Sequence, residues 1–131
     1  MCAGWRLVMR ETGEVILPDL ILADHFWPRF AGLQFRRHLP NGTGLLLVPC
    51  NSVHTCFLRF PIDLICLDRL GRVVEVRKHL RPWRAAVGAA GTHAILETNS
   101  GDIHLEVGQL LAVQAAGDGQ ATLPQSLRFL A

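Results

Sequence analysis

Residues 54–75 read His-Thr-Cys-Phe-Leu-Arg-Phe-Pro-Ile-Asp-Leu-Ile-Cys-Leu-Asp-Arg-Leu-Gly-Arg-Val-Val-Glu. Ile62 to Leu67 is a short apolar run of strand length. Asp68-Arg69-Leu70-Gly71 then supplies turn chemistry, and Arg72 to Arg77 returns as the hairpin partner. One residue breaks the apolar pattern. Asp63 stands among Ile62, Leu64 and Ile65, at or inside the edge of a core, and a buried carboxylate requires a partner.

Working outward, the chain repeats this short-strand pattern. Trp5 to Met9, a turn at Glu11 to Glu14, and Val15 to Leu17 form an expected first hairpin that stops at Pro18. Leu45-Leu46-Leu47-Val48 is an expected core strand, and Val53 to Phe60 is expected to be extended. Residues 78–93 read mostly as loop. Strands are expected at Ala94 to Glu97, briefly at Ile103 to Val107, at Leu110 to Val113, and last at Leu127 to Leu130.

One segment has helical rather than strand periodicity. Asp24 is placed to cap a helix in which Phe26, Phe30 and Leu33 share a face, with Arg29, Arg36 and Arg37 between them. The expected architecture is therefore mainly β (α+β by strict count): a small antiparallel β-barrel or sandwich with one short amphipathic helix over Asp24–Arg37. At 131 residues the chain is read as one globular domain, 1–131.

Composition narrows the function classes. The chain is 50% hydrophobic and 18% charged, which argues against disorder. A net charge of +2 does not by itself call for nucleic acid. No stretch approaches the roughly 20 apolar residues of a membrane span, so no membrane insertion is expected. The N-terminal residues Met-Cys-Ala-Gly-Trp-Arg lack a signal-type apolar core, so a cytoplasmic location is expected. The four cysteines, Cys2, Cys50, Cys56 and Cys66, form no Cys-x-x-Cys pair and are read as reduced, mostly buried thiols.

In this order, the elements resemble the domain-of-unknown-function 192 family. Four pieces carry the resemblance: Arg29-Phe30-Ala31-Gly32-Leu33, with Arg37 and Leu39 after it; Gly44 to Pro49; His54-Thr55 and Pro61 to Asp68, closing with Gly71-Arg72-Val73; and Ala94 to Glu97 with Gly101 and Gly108-Gln109-Leu110. The similarity runs from about residue 20 to about residue 115, and it is most specific in the third piece. It implies a compact β-rich fold with a short helix, and it brings no established activity. Relatives commonly carry Trp where this chain has His54. That argues against an obligatory proton-transfer role at this position across the family.

Several residues could carry chemistry. If their segment is extended, Cys50, His54 and Cys56 share one face. Thiolate and imidazole are zinc ligands, but the spacing matches no standard site, so no metal or other cofactor is assigned. His54, Cys56 and Asp63 could serve a thiol or metal-dependent hydrolase, with His54 lowering the thiol pKa. The competing role for Asp63 is a buried acceptor bound by backbone N–H groups, Thr55 or Arg59. Glu97 is read as an exposed strand carboxylate, or one that meets an arginine.

Downstream, Arg77, Lys78, His79, Arg81 and Arg84 surround Pro82-Trp83. Charge and stacking together suit an anionic ligand. Arg77, Lys78, Arg81, Trp83 and Arg84 are the expected ligand-binding set. The expected function is a non-enzymatic binding or accessory domain for an anionic small molecule, a glycan or a protein partner. Nucleic acid is a lesser possibility because no RNA-binding motif is present.

Overall fold

A computed structural model describes residues 2–23, 39–54, 60–115 and 125–131, apart from the side chains of residues 2, 3, 23, 54 and 126. Within these residues the strands are β1 (Cys2–Met9), β2 (Val15–Ala23), β3 (Thr43–Leu47), β4 (Ser52–His54), β5 (Ile62–Leu67), β6 (Val73–Leu80), β7 (Ala85–Val87), β8 (Ala94–Asn99) and β9 (Leu111–Ala115). Seven form one sheet in the order β6-β5-β8-β3-β2-β1-β9, and β4 pairs with β7 in a separate two-stranded sheet. The expected helix over Asp24–Arg37 lies outside the described residues.

The β-rich class agrees with the sequence reading, but the antiparallel barrel does not. β2 and β3 run parallel, so the sheet is mixed. Parallel neighbours need a crossover of roughly a dozen residues or more, and residues 24–42 supply that length. The sheet is also not a closed barrel. Its edge strands β6 and β9 meet only near their first residues, through an Arg72–Leu110 bridge and the bonds Val73 N–H to Gln109 O (2.8 Å) and Leu111 N–H to Gly71 O (2.9 Å).

Four local expectations also change. β2 does not stop at Pro18. Trp5 faces Leu20 while Leu7 faces Leu17, so β2 carries an extra residue around Pro18–Asp19. A bulge is where a strand tolerates a residue without an N–H donor. Residues 78–93 are not mostly loop, because β6 runs on to Leu80 and β7 follows. Residues 103–107 form no strand, although Ile103 and Leu105 are buried. The last segment is a 3-10 helix, Gln125–Leu130. Leu127 and Leu130 are both fully buried, and their spacing of three places them on one side of such a helix.

The central strands are buried on both faces. Along β3, Leu46 packs into one cluster with Trp5, Leu7, Leu96, Leu127 and Leu130. Leu45 and Leu47 pack into another with Leu39, Cys50, Ile62, Leu64 and Ala86. β5 and β8 divide in the same alternating way. This is why their sequences read as continuous apolar runs rather than as alternation. Among the described residues, no helix is long and apolar enough to cross a membrane.

The hairpin turn from β5 to β6 depends on Gly71. Its φ is +79°, and an added Cβ would stand 3.0 Å from Leu111 O and 2.9 Å from Leu130 Cδ2. Gly71→Ala therefore combines a left-handed penalty with overpacking, a loss of roughly 2–4 kcal/mol. Urea unfolding of the variant is expected to show a lower midpoint with an unchanged slope.

Candidate functional site

Asp63 is fully buried on the same side of β5 as Ile65 and Leu67. Across from it, β6 is irregular. Ile62 faces Leu80 but Leu64 faces Arg77, so Lys78 and His79 place an extra residue in the strand. His79 turns to φ 55°, and its N–H donates to Asp63 Oδ1 at 2.8 Å. Asp63 Oδ2 accepts from the Gly101 N–H at 3.0 Å and from Lys78 Nζ at 3.4 Å. Lys78 Nζ also donates to Ile103 O at 2.9 Å. One carboxylate thereby joins β5, the β6 bulge and the turn after β8.

Burial alone would raise the pKa of Asp63. The Gly101 and His79 donors, with the Lys78 charge, outweigh it and hold the carboxyl below its ordinary 3.8. A carboxylate that accepts backbone N–H bonds stays ionised even when buried.

The pinned turn forms one wall of an open cleft of about 560 Å³. Phe60, Pro61, Asn99, Ser100 and Asp102 line it, with Leu39 to Asn41 on another side. Its polar wall is held in place. Asn99 Nδ2 donates to Leu39 O, Asp102 Oδ2 accepts from the Gly42 N–H at 3.2 Å, and His79 Nδ1 lies 3.1 Å from Ser100 Oγ.

Glu97 lies two residues before Asn99 and opposite both Leu45 and Leu64. It is 6% exposed, not the exposed strand carboxylate expected, because β8 is central in the sheet and covered on both faces. Burial pushes its pKa up to about 8. No arginine among the described residues offsets that.

The five residues of the expected ligand-binding set are not all presented alike. Arg77 Nε pairs with Glu75 Oε2 at 2.6 Å, and its Nη2 donates to Val87 O at 3.0 Å. Lys78 turns instead toward Asp63 and Ile103. Arg81, Trp83 and Arg84 are exposed, Trp83 at 60% and with a left-handed φ of 63°. Glu75, which the sequence reading passed over, also accepts the Ala89 N–H at 2.7 Å and so fixes the segment after β7.

Cys50 is buried, and its thiol donates to Ser52 O at 3.1 Å. Cys56 and the side chain of His54 lie outside the described residues, as do Thr55 and Arg59. Among the described residues, no three His, Cys, Asp or Glu side chains group as metal ligands.

Comparison with known proteins gives a consistent family. The DUF192 family model, described as an uncharacterized ACR, matches residues 7–113. A UPF0127 protein of Pyrococcus furiosus is 35% identical over 107 residues, covering 76% of this chain and 90% of that protein. A UPF0127 protein of Thermococcus sibiricus is 33% identical over 102 residues, covering 74% of this chain. The match spans 65% of that relative's length. A crystal structure of a protein of unknown function from Novosphingobium aromaticivorans superposes with a TM-score of 0.69 at 20% identity, covering 81% of this chain and 82% of that one. The last is a likeness of fold.

The two buried carboxylates act oppositely on stability. The Asp63 pKa is lowered, so its contribution is present above 3.8 and lost as pH falls through the folded value. Asp63→Asn is expected to cost roughly 3 kcal/mol at pH 7 and to remove that acid-side loss, as measured by urea unfolding across pH 2–7. The Glu97 pKa is raised, so its stabilisation is full below 4.5 and lost as pH rises to about 8. In Glu97→Gln the decline between these values, at most about 1.4 kcal/mol per pH unit, is expected to vanish from the same unfolding series.

Proposed function

The chain belongs to the DUF192 family of uncharacterized proteins, and on that footing we propose that it is a binding domain for an acidic carbohydrate, not an enzyme. The observation that carries the reading is Trp83, an indole 60% exposed on a left-handed backbone. A bulky residue at positive φ costs on the order of 1–3 kcal/mol, and such strain clusters at ligand sites. His79 and Trp83 are the left-handed non-glycine residues among those described, and they bracket one short segment.

The surroundings fit an acidic sugar. Arg81 and Arg84, on either side of Trp83 in sequence, are exposed, and guanidinium groups bind carboxylates in a bidentate manner. The apolar face of an indole suits the C–H face of a sugar ring. The segment leaves β6 at Leu80, whose partner Ile62 follows the cleft residue Pro61. Asn41, Asn99, Ser100 and Asp102 in that cleft offer donors and acceptors for hydroxyl groups. Arg77 and Lys78 brace the strand through their bonds to Glu75, Val87, Asp63 and Ile103.

The alternative is a hydrolase built on His54, Cys56 and Asp63. It draws no support from Asp63, which is fully buried with both oxygens already accepting hydrogen bonds. Such a group suits anchoring better than proton transfer.

Calorimetric titration with an oligogalacturonate, against a neutral oligosaccharide of equal length, tests the reading. Saturable binding of the uronate is expected, with weaker binding of the neutral sugar. Trp83→Ala is expected to weaken uronate binding at least about five-fold. The reading fails if no binding heat is seen, or if Trp83→Ala binds as tightly as the parent.

A further inference from the structure

The far end of β5 carries a second cleft, of about 310 Å³, lined by Cys50, Asn51, Ser52, Arg69, Thr92 and His93. It shares no lining residue with the cleft beside Asn99 and Ser100. Its walls are fixed by main-chain bonds. The Cys50 N–H donates to His93 O at 2.8 Å, the His93 N–H to Leu67 O at 2.7 Å, and the Gly88 N–H to Asn51 O at 2.7 Å. Gly88 approaches Thr92 so closely that a Cβ there would meet Thr92 Oγ1 at 2.7 Å. The His93 ring stands edge-on to Phe129, with centroids 5.0 Å apart and planes at 81°. That contact favours one orientation of the imidazole plane.

The chemistry of this cleft is one-sided, because among the described residues no carboxylate lines it. Asp68, next to Arg69 in sequence, directs Oδ1 to the N–H groups of Leu70 (2.8 Å) and Arg72 (3.0 Å). The Thr92 hydroxyl proton is committed to Ala89 O at 2.7 Å. That leaves the Arg69 guanidinium, the His93 ring N–H, the Ser52 hydroxyl and the Asn51 amide as donors around one small space. We propose that this cleft is an oxyanion site that takes a phosphate group, held between Arg69 and His93. Donors gathered round one small space, with no described carboxylate among them, are what a tetrahedral oxyanion requires.

The charge balance at His93 agrees. Burial, with the nearby Arg69 charge, holds its pKa below 6.5. A bound dianion cancels the Arg69 repulsion and draws a proton onto the ring. Among the described residues, the other ionisable groups on the segments around the ring are Cys50, Asp68, Arg128 and Cys66, which bonds Thr92, with Glu75 bonded to the Ala89 N–H. Binding is thus coupled to protonation of His93, and the coupling can be read spectroscopically.

The test follows the His93 ring resonances of the full chain by NMR. Inorganic phosphate and, separately, glycerol 3-phosphate are titrated in, with sodium chloride as the control at matched ionic strength. A saturable shift that chloride does not reproduce is expected, with the His93 pKa moving upward when the site is filled. Arg69→Gln, at an exposed turn position, is expected to weaken binding roughly ten-fold. Tighter binding of the monoester identifies the source as a phosphorylated metabolite. Equal binding identifies the phosphate group alone as sufficient. A linear, chloride-like response to both probes, or unchanged affinity in Arg69→Gln, overturns the proposal. Neither result bears on uronate binding at Trp83.

Discussion

The structure turns on where the Asp63 carboxylate finds its donors. A fully buried charge is tolerable only if bonds within the protein replace the water it lost. Here the replacement comes from two places: the β6 bulge, through the His79 N–H and the Lys78 ammonium, and the turn at Gly101. Each would be a weak point without the carboxylate. The bulge frees an N–H that no strand partner takes, and the left-handed turn at Gly101 would be one more exposed loop. The cost of burying Asp63 and the cost of the irregular backbone therefore offset one another. The polar wall of the neighbouring cleft rests on that exchange, since Ser100 and Asp102 flank Gly101.

The second constraint is that β3, β5 and β8 are covered on both faces. Alternate residues feed two different clusters, so a polar residue within these strands, short of the end of β8 at Asn99, becomes a buried one. Asp63 and Glu97 occupy such positions on opposite faces, with opposite results. Asp63 is met by donors and stays ionised. Glu97 is met by apolar neighbours and is biased toward the neutral acid. The same environment thus sets the two carboxyls on either side of neutrality, and hydrogen bonding decides which way each goes.

Much of this was legible in the sequence. The strand–turn–strand unit from Ile62 was readable because an apolar run, Asp68 and Gly71 all point to a hairpin. The apolar runs at Leu45 and Ala94 marked core strands for the same reason. The family marker in that segment also held. Sheet order was not legible, because an apolar run marks a strand without marking its neighbour or its direction, and β2 and β3 prove to be parallel. Pro18 misled because a bulge, which tolerates proline, leaves no mark in a single sequence. Leu127 and Leu130 could have been read correctly, since their spacing of three is helical and not strand-like. For the candidate site, alternation correctly marked Asp63 as unusual. It could not show that Arg77 and Lys78 bond to different partners, because a bulge changes which way successive side chains face.

The two clefts gain from being at the two ends of one strand. β5 is paired along its length with β8 and β6, so its ends are held at a fixed separation by central ladder bonds. Each end meets a turn that must be positioned by side-chain chemistry: Gly101 by Asp63 at one, and the Arg69 turn by Asp68 at the other. In both cases a carboxylate caps backbone N–H groups and is thereby removed from the ligand-facing surface. That removal gives the surfaces their character. An aspartate committed to backbone donors does not offer its own charge to a ligand, and arginines on a rigid frame are suited to anions. Asp63 and Asp68 would then shape its ligand preference by where they do not point.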